Sequence, residues 1–486
     1  MKLTLRCSGL IDGVADAVRG PCSVRIEDDR ILSIDPLLGG PAGGESGERH
    51  SRGDQAGTSS EGGAAVIDLE GYTLLPGLID CHVHLTSEAS PERPPTPPAT
   101  SSEREYRLLL NVTRNMRESL RGGVTTVRDL GAPNAVILLL RDLERTGRVT
   151  GPRVVASGAG ITITGGHGWA TGHECDSAVE VRRAARTQLK LGADVLKIMS
   201  SGGVFTALSR SSNCQFSIEE LREAVTEAEK MGKRVATHSH SKDAIKSSIL
   251  AGIHSIEHGI FLDDECISLM LERGAYLVPT LAPHTYIWGN PEMHRIPQVF
   301  LDKAAAIREP NFRGATKAVK AGVRIAAGTD SGIPFMEHGR VASEVETLHD
   351  IGMKPMEAIK TATRYASELL QVDQKVGSLE PGKVADIIAV KGNPLEDLTT
   401  LRYPALVIHD GKVAGIEPGL HAPITPETLI LTRRAGWPSW KVEGKGTRPP
   451  NCSSGRTAPS GSSRQGDQGC SRRRKLIGLS RCQRSS

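Results

Sequence analysis

Through the middle of the chain, short apolar runs alternate with longer amphipathic stretches, the pattern of parallel strands joined by crossover helices. Eight such runs can be read: 74–84 (LLPGLIDCHVH), 124–131 (VTTVRDLG), 152–158 (PRVVASG), 194–203 (DVLKIMSSGG), 234–240 (RVATHSH), 254–259 (HSIEHG), 275–282 (AYLVPTLA) and 323–332 (VRIAAGTDSG). Amphipathic stretches separate several of them. In one, 217–232 (SIEELREAVTEAEKMG), Ser217 and Glu220 stand at capping-box spacing. Eight strand–helix units fit an α/β fold of the (β/α)8 TIM-type barrel in count and size. A doubly wound open sheet is the alternative, weakened because no GxGxxG turn follows the first strand.

Strand patterning without intervening helices returns at both ends. Residues 1–35 read as short strands, 36–64 are too rich in Gly and Ser to pack and read as a flexible loop, and 64–77 (AAVIDLEGYTLLPG) resume a strand. Far downstream, 383–393 (KVADIIAVKGN) and 405–417 (ALVIHDGKVAGIE) carry the same character. The chain is therefore predicted to build a small β-sandwich from both termini, residues 1–72 and 371–430, around a barrel over 73–370. From 431 to 486 apolar periodicity is absent, and the segment reads as a disordered tail.

Composition changes this picture little, but charge needs care. The net charge of +4 is unevenly spread: residues 431–486 hold 13 Lys and Arg against two acids, leaving residues 1–430 at −7. A basic chain would invite nucleic acid as a partner; here the basicity sits in the tail, and we expect none. RRRK at 472–475 reads as part of a solvated tail. Aromatics are sparse at 3%, which a barrel interior built from branched aliphatics tolerates. No run approaches membrane-spanning length and MKLTLRCSGLIDG lacks an apolar signal core, so a cytoplasmic protein without membrane partners is expected. The nine cysteines form no CxxC pair and read as free thiols.

In a barrel, chemistry gathers at the C-terminal ends of the strands. There the sequence places His82 and His84, Lys197, His238 and His240, His258 and Asp330. The i, i+2 spacing of His82 and His84 puts both rings on one face of a strand, as chelation requires. A single strand-end histidine is more often structural. Five from three strands, joined by an aspartate on a fourth, point to divalent metal, with imidazole and carboxylate suiting zinc and admitting manganese or iron.

PGLIDCHVHL, DVLKIMSSGGV, ATHSHS, SIEHG and AAGTDSG, in that order, resemble the amidohydrolase superfamily. The likeness is to its imidazolonepropionase/prolidase-like branch, which includes dipeptidases, N-acyl amino acid hydrolases and ochratoxinase-type amidases. It covers residues 1 to about 425. The resemblance implies two divalent metal ions, one held by His82, His84 and Asp330 and the other by His238 and His258. It also implies that Lys197 carries a CO2-derived carbamate bridging them. A desolvated amine beside two dications loses its proton readily, which the carbamate requires. His167, in the GGHGW turn, and His240 resemble the branch's substrate-contacting histidines. His284 and Tyr286 could meet a substrate carboxylate, but packing explains them as well. Arg128 and Asp129 read as a structural pair, and 87–103, rich in proline, stands where a lid would.

Metal-activated water attacking an amide carbonyl, with Asp330 taking the proton and passing it to the departing nitrogen, is the implied catalysis. The expected substrate is an N-acyl amino acid, dipeptide or related small amide, and the expected assembly a homo-oligomer. Two alternatives stand beside it: ring opening of a cyclic amide of the imidazolonepropionate type, and a non-catalytic barrel used as a binding module.

Overall fold

The computed structural model describes residues 2–37, 60–61, 64–90, 101–133, 135–207, 209–417 and 420. The loop reading of 36–64 and the lid reading of 87–103 lie largely outside these residues, and the tail reading of 431–486 lies wholly outside them. From the N-terminus come β1 (Lys2–Leu10), β2 (Cys22–Glu27), β3 (Arg30–Pro36), β4 (Ser60–Glu61) and β5 (Ala64–Pro76). The middle supplies β6 (Leu78–Val83), β7 (Val124–Asp129), β8 (Arg153–Ala156), β9 (Ile161–Thr162) and β10 (His173–Glu174). It continues with β11 (Val195–Met199), β12 (Arg234–Ser239), β13 (Ser255–His258) and β14 (Tyr276–Val278), before β15 (Ile387–Lys391), β16 (Leu406–His409) and β17 (Lys412–Ile416).

Both ends of the chain join one sheet. Its order is β17-β16-β15-β5-β1-β2-β3, with β4 also on β5 and every pairing but β1–β5 antiparallel. Strand β3 returns to the other half of the sheet, since Arg30 bridges Val384 just before β15. The enclosed core draws Leu5, Leu10 and Val24 from one terminus and Ile387, Leu406 and Ile408 from the other. Neither terminus could bury these side chains alone.

The middle strands pair in parallel, as β6-β7-β8 and as β10-β9-β11-β12-β13-β14. β6, β7 and β13 are buried along their whole length, which is how strands covered on both faces read. Helices lie between them, among them Val136–Arg145, Ala178–Lys190 and Lys242–Ala251. Ile218–Glu229 starts at the expected capping box: Ser217 N–H donates to Glu220 Oε2 at 2.8 Å, and Glu220 N–H to Ser217 Oγ at 3.3 Å.

The eighth apolar run departs from expectation, because 323–332 forms no regular strand. It still links both groups of parallel strands: Leu277 pairs with Ile325, Cys81 N–H donates to Ala327 O, and Val83 pairs with Ser331. The ladder breaks where Ala327 N–H turns to Thr361 O and where Asp330 takes a left-handed backbone at φ +54°.

Candidate metal centre and active site

His82 stands one residue before the end of the fully buried strand β6, and His84 lies just beyond it. Asp330 meets both, with Oδ1 3.4 Å from His82 Nε2 and 3.0 Å from His84 Nε2. Burial opposes ionisation of Asp330, but the two imidazoles outweigh it and hold the carboxyl well below its usual range. A second group forms from His238, His240 and His258 at the ends of β12 and β13, with ring centroids 4.2 to 5.1 Å apart. His82 and His258, 5.0 Å apart, join the two groups. Each group offers three ligand atoms within 4.8 Å of one another. His240 thus lies in the second cluster beside His238 and His258.

Burial, followed by the neighbouring imidazoles, depresses His238 and His258 well below the ordinary histidine value. Neutral imidazole is the form that binds metal. His258 Nδ1 lies 2.7 Å from Thr280 Oγ1, so its Nε2 is the nitrogen left for a ligand.

Lys197, on β11, is 1% exposed and its Nζ has no hydrogen-bond partner. Burial lowers its pKa to about 8, although Glu257 and Asp330 pull the other way. An unpartnered buried amine is costly, and the accessible neutral form is the one that adds CO2. The residues present therefore fit a metal pair and a modified lysine.

His167 reaches the same cluster, its ring 4.2 Å from His238 and its Nδ1 3.0 Å from Thr206 Oγ1. The GG of the SSGGV motif has a steric reason at Gly203, where a Cβ would fall 2.5 Å from the His167 ring. All eight residues singled out in the sequence line one cavity of about 250 Å³. Its far wall is apolar, with Val204, Ile260, Ile287, Ala304, Ile307 and Ile333. His284 is part of the lining, whereas Tyr286 turns away to Ser343 Oγ at 2.7 Å.

One neighbour was missed in the sequence. Glu257 accepts from Arg128 Nη2 at 2.8 Å and lies 2.9 Å from His82 Nδ1, orienting that ring from behind. The expected Arg128–Asp129 pair does not form, because successive strand residues point to opposite faces; Asp129 instead accepts from Leu85 N–H at 2.7 Å. Glu257 and His258 both reach the cluster because His258 adopts φ +69°, which breaks the strand's alternation. The signal available was an acid directly before the histidine of SIEHG.

Residues 73–414 match the Amidohydrolase family. The chain is 34% identical over 372 residues to ochratoxinase of Aspergillus niger, spanning 69% of this chain and 74% of that one. It is 24% identical over 362 residues to imidazolonepropionase of Aeromonas hydrophila, spanning 68% and 80%. Among solved structures, a Xaa-Pro dipeptidase with methionine in its active site superposes with a TM-score of 0.76 at 34% identity, over 85% of this chain and 99% of that one. These likenesses carry the TIM-barrel-plus-β-sandwich class and a generally metal-dependent chemistry with them. The chain belongs to the amidohydrolase family and is a hydrolase of carbon–nitrogen amide bonds.

Proposed function

We propose that the chain hydrolyses an N-acyl amino acid, dipeptide or related small amide at a two-cation centre. Supporting this reading, the parallel strands are linked through 323–331 as a closed (β/α)8 barrel needs, and the site lies at their C-terminal ends. His82, His84 and Asp330 would hold one divalent cation, zinc suiting the donors, and His238 and His258 the other, with carboxylated Lys197 between them. When bound, the pair supplies Lewis acidity and lowers the pKa of water. The observation that carries the reading is the buried, unpartnered Lys197 Nζ, which lines the same cavity as both ligand clusters.

The chain's own residues do the rest. Asp330, ionised and facing the cavity, takes a proton from water and returns it to the departing nitrogen. His167 and His240 orient the amide, and the apolar wall receives an uncharged acyl or side-chain group while excluding water. Among the described lining residues, Lys197 is the only cationic side chain apart from the imidazoles.

Purified protein should hold about two equivalents of divalent metal at this centre and lose activity on chelation. A panel of N-acyl amino acids and dipeptides should reveal turnover, apolar acyl groups first. Trace metal with chelator-resistant activity would refute the centre. Turnover of a cyclic amide alone would assign the ring-opening alternative instead.

A further inference from the structure

A second group of metal-ligating side chains stands apart from the strand-end cluster, where the antiparallel sheet meets the helix Val136–Arg145. Glu144 comes from that helix. His409 ends β16, and Asp410 begins the two-residue turn to β17 at φ +48°. Their ligand atoms all lie within 4.8 Å of one another. Residues 144 and 409 are far apart in sequence, so the fold, not a local turn, brings them together.

His409 is 3% exposed, yet its Nε2 has no hydrogen-bond partner. It faces Glu144 Oε1 at 3.5 Å and Asp410 Oδ2 at 3.6 Å. Both separations exceed the 2.7–3.2 Å of an N–H···O bond. They match the spacing of two ligands on one cation, since bonds of about 2.0–2.2 Å in a tetrahedron put neighbouring ligand atoms roughly 3.4 Å apart.

The other face of the ring is already fixed. Nδ1 lies 3.1 Å from buried Asp386 Oδ1, and Asp386 is held in turn by Arg153 Nη1 at 2.7 Å. A carboxylate behind the imidazole with the opposite nitrogen free is the arrangement that orients a metal-binding histidine. Arg153 also pairs with Asp410, through the oxygen that does not face the ring.

Charge points the same way. Glu144, Asp386 and Asp410 carry three negative charges against one on Arg153, leaving two uncancelled around a neutral ring. One divalent cation cancels both; a proton on His409 cancels only one.

We propose that Glu144, His409 and Asp410 form a divalent-cation site, suited to zinc, that staples the β16–β17 turn to the helix Val136–Arg145. Asp386 is its orienting residue. The site does no chemistry on the amide substrate and does not depend on the strand-end centre. Asp410, whose side chain is 44% exposed, gives the cation its way in and leaves water the fourth position.

The test is zinc binding by the full chain, measured by equilibrium dialysis on wild type, Glu144→Gln and Asp386→Asn, with zinc-edge anomalous diffraction from wild-type crystals. Glu144→Gln should bind one zinc fewer than wild type while its hydrolysis rate is unchanged. Asp386→Asn should keep the site but weaken it by about 10- to 100-fold. The anomalous map should show a peak between His409 Nε2 and the two carboxylates. Because the readout is a difference of one between variants, it is independent of how many ions the strand-end centre holds. An equal zinc count in wild type and Glu144→Gln would overturn the site, as would a map with no peak there. The cluster would then be a buried ion pair only. Should Glu144→Gln fail to fold, the wild-type map decides by itself.

Discussion

Asp330 is held by two histidines on a backbone that non-glycine residues rarely adopt, and such strain persists only where the surroundings impose it. An asparagine there keeps a carbonyl oxygen for a cation but cannot accept a proton near neutral pH. Asp330→Asn should therefore fold and bind substrate while losing at least about 10²–10⁴ in turnover, the usual worth of acid–base help. Turnover per folded molecule close to wild type would remove Asp330 from the proton path. Lys197 makes a different prediction. An arginine in its place stays charged and cannot form a carbamate, whereas an alanine leaves room for a carboxylate from solution. Both variants should be inactive, and millimolar short-chain carboxylic acid should partly restore Lys197→Ala alone. Wild-type-like rates in either would show that the amine has no role between the two clusters.

At the scale of elements, Glu344 ties two helices together near the site. It projects from Val341–Asp350 and accepts from Leu281 N–H at 3.0 Å and Ala282 N–H at 2.6 Å, where Ala282–Gly289 begins. Burial dominates its ionisation and raises its pKa to about 8, though those two N–H donors oppose the shift. Its proton is then bound more tightly in the folded chain than in the unfolded one. The associated stability is present below the ordinary value of 4.5 and lost as pH rises through about 8. Glu344→Gln keeps an oxygen acceptor without that proton, so its melting temperature should fall less than wild type's between pH 5 and pH 9. Parallel curves for the two proteins would refute this account. Glu344 also marks what the sequence did not disclose. Strand-end histidines were legible because i, i+2 spacing and short apolar runs are local patterns. The Arg128–Glu257 pair, the Glu344 cap and the Glu144–His409 contact join residues more than 60 positions apart, and no local period encodes such pairings. The 323–332 run misled for a related reason. Its composition is that of a strand, but its ladder is broken by tertiary demands at Ala327 and Asp330.

For the whole molecule, the sheet shared by the two ends of the chain makes the C-terminal segment matter in two opposite ways. The described packing of β15, β16 and β17 reaches no further along the chain than Leu420, and every candidate ligand precedes it. The sequence of residues 431–486 lacks the apolar period needed to bury surface. A chain ending at 430 should fold, melt near the full-length value and keep its hydrolysis rate. A chain ending at 383 should fail on all three counts. It loses the strand that pairs Ile387–Lys391 with Tyr72–Pro76, and with it Ile387, Ile388, Leu406, Val407, Ile408 and Val413 from the buried set. Each such side chain contributes roughly 1.5–3 kcal/mol on burial. Six together match or exceed the 5–15 kcal/mol by which domains are typically stable. The long strand β5 would also be left with an open apolar edge, an invitation to aggregate. The comparison needs two truncations, thermal melts and a sedimentation run. Aggregation of the 430-residue chain would mean that the tail covers a surface the folded part cannot leave bare. A soluble, cooperatively melting 383-residue chain would mean that the N-terminal strands close their core without the C-terminal ones.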